Sequence, residues 1–91
     1  GSFTVDDRTM LNVELDLAAG SRLVGQTIRD VESLLAGRLS ILGWGRTGEP
    51  RQLHPRGEQL LAARDHLLVC AAPEMLDELE TLAGTRELLN F

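Results

Sequence analysis

The chain of 91 residues contains no lysine and no tyrosine, one cysteine, one tryptophan, two phenylalanines and three prolines. Each scarcity excludes something. A lone Cys70 cannot close an intrachain disulfide, which fits a reducing compartment. With aromatics at 3%, the core has to be filled by Leu, Ala and Val. All nine basic residues are arginines, scattered from position 8 to position 86, and fourteen Asp and Glu leave a net charge of −5. Without a basic run the chain lacks the electrostatic footprint of a nucleic-acid binder, because phosphate neutralisation supplies most of that affinity. The same deficit argues against docking on an anionic membrane surface. No apolar run approaches the roughly 20 residues that span a bilayer, and no leader pattern is visible. Gly1-Ser2 reads as a cloning remnant, outside fold reasoning.

What remains is one small domain, 43% apolar, with room for one modest core. Residues 3–10 are polar and read as a frayed lead-in. Residues 11–17, LNVELDL, alternate apolar and polar, the period of a half-buried strand. From Thr27 to Ala36 the chain reads as a helix. Thr27 caps it, Asp30 favours the positive end of its dipole, Gly37 suits its C-terminus, and Ile28, Val31, Leu34 and Leu35 share a face. Residues 39–46 form a second strand, 51–54 a short third one stopped by Pro55, and 66–71, HLLVCA, a continuously apolar strand expected to be central and covered on both faces. Pro73 and Glu74 open a last helix, with Leu76, Leu79 and Leu82 as its stripe, Met75 and Ala83 behind it, and Gly84 as its stop. The order is β-α-β-β-β-α, an α+β fold. The expected organisation is a lead-in over 1–10, the domain over 11–84 and a tail over 85–91.

The stretch 43–48, GWGRTG, matches the dinucleotide fingerprint G-x-G-x-x-G letter for letter. That motif requires a helix opening at its third glycine, so that a pyrophosphate meets free N–H groups. Pro50 and Pro55 leave no room for one. Gly48 therefore belongs to a hairpin turn, and Gly43 and Gly45 clear the face opposite Trp44 for a close approach. No catalytic constellation is evident: no serine or cysteine has a His–Asp pair in a plausible arrangement, and no carboxylates are paired for acid–base work. His54 and His66 lack metal-ligand spacing, so no metal is expected. Asp65, ahead of the apolar strand, is expected to accept backbone N–H bonds in a turn. Cys70 is expected to be buried and inert. Arg38, Arg46, Arg51 and Arg56 gather around the second and third strands, where a dimer axis would double them into a phosphate grip.

The ordered set of motifs resembles the RCK C-terminal domain, also called the TrkA-C domain. LVGQTI at 23–28 resembles its "lvGktl" element; Arg46-x-Gly48 then leads to Pro55, ten residues before DHLLV at 65–69, and Pro73-Glu74 opens the final acidic helix. Arg64 and Cys70-Ala-Ala72 depart from the glycines usual there, and Ser40 stands where effector-binding members often carry Asn. The resemblance covers roughly residues 11–83. It implies a non-enzymatic, cytoplasmic regulatory lobe of a potassium channel, uptake system or cation antiporter, working as a homodimer joined to the rest of the transporter. It involves no nucleic acid and no direct membrane insertion. The effector it implies is cyclic di-AMP or another small nucleotide. The expected ligand residues are Arg38, Leu39, Ser40, Ile41, Arg46, His54 and Pro55; the expected dimer contacts are Leu39, Ile41, Leu42 and Trp44. The same fold serving only as a ligand-free dimerisation module is the alternative.

Overall fold

The computed structural model describes residues 2–5, 8–35 and 38–84, with side chains from residue 10 onward. Its strands are β1 (Ser2–Val5), β2 (Arg8–Asp16), β3 (Leu39–Gly45), β4 (Gln52–Leu53) and β5 (His66–Ala71); its helices are α1 (Ile28–Leu34) and α2 (Leu76–Ala83), the latter led in by a short 3-10 turn over Pro73–Met75. The five strands form one antiparallel sheet in the order β1-β2-β5-β3-β4. The fold is α+β, and the order β2-α1-β3-β4-β5-α2 matches the sequence reading. The hairpin at the start does not. Ser2–Val5 pairs with the beginning of β2, where a frayed lead-in was expected. The expected helix end at Ala36 and Gly37, the remnant at Gly1 and the tail over 85–91 lie outside the described residues.

One face of the sheet carries the core. Leu15 and Leu17, Leu67, Val69 and Ala71, and Leu39, Ile41 and Trp44 meet Ile28, Val31 and Leu35 from the α1 side and Met75, Leu79 and Ala83 from the α2 side. Thr27 caps α1 in a full capping box: its side chain accepts from the Asp30 N–H at 3.1 Å while the Asp30 carboxylate accepts from the Thr27 N–H. Leu34, expected on the buried face, is 57% exposed, because Leu35 one position on takes the place against the sheet. Along the 3-10 turn and α2 the deepest residues are Met75, Leu79 and Ala83, spaced by four, with Leu76 and Leu82 as half-buried flanks. Gly84 closes α2 in the left-handed conformation, φ +86°. A Cβ there would lie 2.8 Å from the Ala18 Cβ. The loop after β2 is fastened to this helix end: the Ala18 N–H donates to the Ala83 carbonyl at 2.9 Å and the buried Ser21 hydroxyl to the Leu82 carbonyl at 2.6 Å.

β5 is central, as expected, but not covered twice. Its exposure alternates, with Leu67, Val69 and Ala71 buried and His66, Leu68 and Cys70 half-buried. Both helices pack on the core face, so the opposite face stays open. Cys70 therefore sits half-exposed on that open face, and not deep in the core.

Candidate functional site

Three groups of polar residues attach to β3. The first is centred on Asp65, which is 1% exposed. Its Oδ2 accepts from the Trp44 indole N–H at 2.9 Å and from the Ala62 N–H at 2.8 Å, and its Oδ1 accepts from Arg46 Nε at 3.0 Å. Arg46 also stacks over the Trp44 ring, 4.9 Å from the centroid, and donates from Nη2 to the Leu60 carbonyl at 3.2 Å. The expected turn bond from backbone N–H is there. Two side chains 19 and 21 residues away complete the hub. A buried carboxylate requires such partners. Nothing in one sequence pairs positions that far apart, so this function of Arg46 and Trp44 was missed.

The second group crosses the open sheet face. Arg51 extends from the segment before β4 to an ion pair with Glu14 on β2. Its path runs over Gly43 and Gly45: a Cβ at Gly43 would meet Arg51 Cδ at 3.6 Å and Leu68 Cβ at 3.3 Å, and one at Gly45 would meet Arg51 Cα at 3.6 Å. The close approach that the two glycines predicted is thus made by the chain's own arginine. Beside it, His66 Nδ1 lies 2.6 Å from Asp16 Oδ1 and His66 Nε2 lies 3.3 Å from Thr47 Oγ1. The sequence reading considered serine and cysteine only; the fold lines up a threonine with His66 and Asp16, which are 36% and 71% exposed. It joins β2, β5 and the 46–49 turn at the solvent-exposed rim. Among the described residues no group of three or more His, Cys, Asp or Glu could hold a metal ion.

The third group lies at the other end of β3. β4 pairs only with Gly43 and Trp44, and the His54 N–H donates to the Leu42 carbonyl at 2.9 Å. His54 then takes φ +54°, a left-handed turn that carries the chain away at Pro55. A β-bulge between Ile41 and Gly43 kinks β3 at the same point. Beyond it the outer edge of residues 39–41 has no strand partner among the described residues, and the Ile41 N–H on that edge donates to Glu32 Oε2 of α1 at 3.0 Å. By the two-residue alternation of a strand, the polar groups of Leu39 point the same way. Arg38, Ser40 and His54 are exposed around this edge, with Pro55 half-buried.

The structure therefore brings Arg38, Leu39, Ser40, Ile41, His54 and Pro55 to one sheet edge. Arg46 is not among them. It is six residues further along the strand from Ser40, roughly 20 Å at the rise of a β-strand. Of the four residues expected at a dimer contact, Leu39, Ile41 and Trp44 are 4%, 7% and 5% exposed and belong to the core of the single chain. Leu42, at the bulge, keeps partial exposure. Leu34, Leu53 and Leu60, none of them singled out by the sequence for an interface, are the large apolar side chains left in solvent among the described residues, at 57%, 66% and 56%.

Comparison with known proteins fits this architecture. The RCK_C domain dimer of S. agalactiae BusR in complex with c-di-AMP superposes with a TM-score of 0.70 at 14% identity, over 86% of this chain and 95% of that one. S. agalactiae BusR in complex with its busAB-promotor DNA gives a TM-score of 0.70 at 14% identity, over 84% of this chain but only 37% of that one. At that identity the likeness shows a shared fold. No curated protein sequence matches. The family model of the TrkA-C domain, however, matches residues 12–84, most of the chain, and the chain belongs to the TrkA-C domain family.

Proposed function

We propose that this chain is the cytoplasmic ligand-sensing module of a potassium or other cation channel, transporter or antiporter. In this reading it works as a dimer whose effector-dependent rearrangement gates transport. The observation that carries the reading is the edge of β3 at residues 39–41, which has no strand partner among the described residues and is bordered by Arg38, Ser40 and His54, in a TrkA-C fold. The backbone groups of Leu39 on that edge suit the hydrogen-bonding rim of a base, while the Ile41 N–H beside them is held by Glu32. Arg38 suits a phosphate, and the His54 ring offers a surface for stacking. A two-fold axis beside the edge doubles each of these, which suits a ligand with two bases and two phosphates such as cyclic di-AMP. The BusR dimer with c-di-AMP, spanned over 95% of its length, supports that choice of effector. Effector binding moves a gate only by the difference in its affinity for two arrangements of the dimer.

TrkA-C domains are regulatory, and the solvent-open Thr47–His66–Asp16 line is read here as a fastening between elements. Among the described residues no helix is long and apolar enough to cross a membrane. The DNA-bound BusR structure raises a different parent, a regulator that carries a DNA-binding part elsewhere. With a net charge of −5, this domain itself is a poor surface for a phosphate backbone. The second reading is a dimerisation module without ligand; exposed Leu34, Leu53 and Leu60 suit an interface in either reading.

Melting the chain with cyclic di-AMP, ATP and NADH separates the two. At about 100 times the dissociation constant a bound ligand adds roughly 2.7 kcal/mol. The sensor reading expects a rise in Tm with at least one nucleotide that is lost in Arg38→Ala and His54→Ala. An unchanged Tm in all three leaves only the dimerisation module.

A further inference from the structure

The geometry points to a second anion site, separate from the β3 edge, that takes a phosphate group. It lies between two turns. One is closed by the Glu49 N–H on the Arg46 carbonyl at 2.9 Å, the other by the Asp65 N–H on the Ala62 carbonyl at 3.2 Å. The pocket between them is lined by Arg46, Thr47, Ala62, Ala63, Arg64 and Asp65.

Three observations carry the assignment. Arg64 is exposed and adopts φ +68°, a backbone conformation that glycine takes freely and a side chain takes at a cost. Among the described residues its guanidinium makes no hydrogen bond or ion pair that would account for an arginine there. Second, Arg46 is held by Nε on Asp65 and Nη2 on the Leu60 carbonyl, which leaves Nη1 without a partner among the described residues. A guanidinium fixed in this way loses little freedom when it binds an anion. Third, Asp65, the one carboxylate among the residues that line the pocket, is already engaged. Asp65 accepts three hydrogen bonds, and Asp16 is paired with His66, whose other nitrogen meets the Thr47 hydroxyl at the pocket rim. Two guanidinium groups on facing turns, one preset and one unpaired, match the several oxygens of a phosphate. The chemistry is that of inorganic phosphate or of the terminal phosphate of a nucleotide.

The test titrates the intact chain with inorganic phosphate and, separately, with AMP, against chloride at matched ionic strength. Tm and backbone amide resonances are followed. Phosphate is expected to raise Tm and to move the amides of Thr47, Ala63 and Arg64, leaving those of residues 39–41 in place. Half-saturation at least tenfold lower for AMP identifies a nucleotide as the source; equal values identify free phosphate. Arg64→Gly is expected to keep or raise the basal Tm, because glycine is unstrained there, while losing the phosphate response. A full response in Arg64→Gly, or no response to either anion in the unaltered chain, overturns the site. Because Arg64→Gly leaves the β3 edge intact, it does not alter the effector response proposed above, and the two readings fail separately.

Discussion

Replacing Asp65 tests whether the Trp44–Arg46–Ala62 hub holds the fold together. Asp65→Ala removes the acceptor of three donors. The Trp44 indole is on a residue only 5% exposed and the Ala62 amide is half-buried, so neither reaches water easily. Each buried donor left unpaired costs about 1–3 kcal/mol. Arg46 is 39% exposed and turns to solvent, so its share is discounted to about 0–1 kcal/mol. The expected loss is about 2–7 kcal/mol, a large part of the net stability of a small domain. Asp65→Asn is a sharper probe, because the Trp44 and Ala62 bonds both end on Oδ2 and only Arg46 uses Oδ1. An asparagine with its oxygen in the Oδ2 position keeps both buried donors satisfied and turns its amide toward the one partner that can leave. Its cost should be about 1–2 kcal/mol. Urea unfolding followed by the fluorescence of Trp44, the single tryptophan, reads both values. A cost below 1 kcal/mol for Asp65→Ala, or equal costs for the two variants, would refute the reasoning.

Gly84→Ala combines a positive φ with a 2.8 Å contact to Ala18, whereas Gly48→Ala, also at φ +86°, meets open space. The first should cost about 2–3 kcal/mol and the second about 1 kcal/mol by the same unfolding assay, and the reverse order would contradict the packing described at the end of α2. Thr27→Ala removes the capping box of α1 and should cost about 1 kcal/mol, read as a lower urea midpoint with the slope unchanged. Gly43→Val pushes into Leu68 and the path of Arg51 and should cost about 1–3 kcal/mol, while Arg51→Ala, which breaks an exposed ion pair, should cost under about 1 kcal/mol.

Regular elements were legible where the apolar pattern is strictly local. Residues 11–17 alternate as expected, and of Ile28, Val31, Leu34 and Leu35, expected on one helical face, all but Leu34 are buried there. The β1–β2 hairpin was not legible, because Ser2–Val5 is too short to show a period and is ordered by pairing with the start of β2. HLLVCA reads the same whether a strand is covered on two faces or on one, and only the positions of both helices decide it. The glycines of GWGRTG predicted a close approach but could not name Arg51 as the visitor. Asp65 was legible as a turn residue; its two side-chain donors were not, because they depend on how β3 lies against β5. Leu39, Ile41 and Trp44 share the apolar character of interface and core alike, and burial in the single chain assigns them to the core.

The proposal that this TrkA-C module senses a nucleotide across a dimer axis is tested most directly by calorimetric titration with cyclic di-AMP, with sedimentation equilibrium on the same sample. It predicts a dimer that binds one ligand per two chains, with affinity lost in Arg38→Ala and retained in Arg64→Gly. A monomer at high concentration, or a dimer that takes up no ligand heat at saturating cyclic di-AMP, would contradict it.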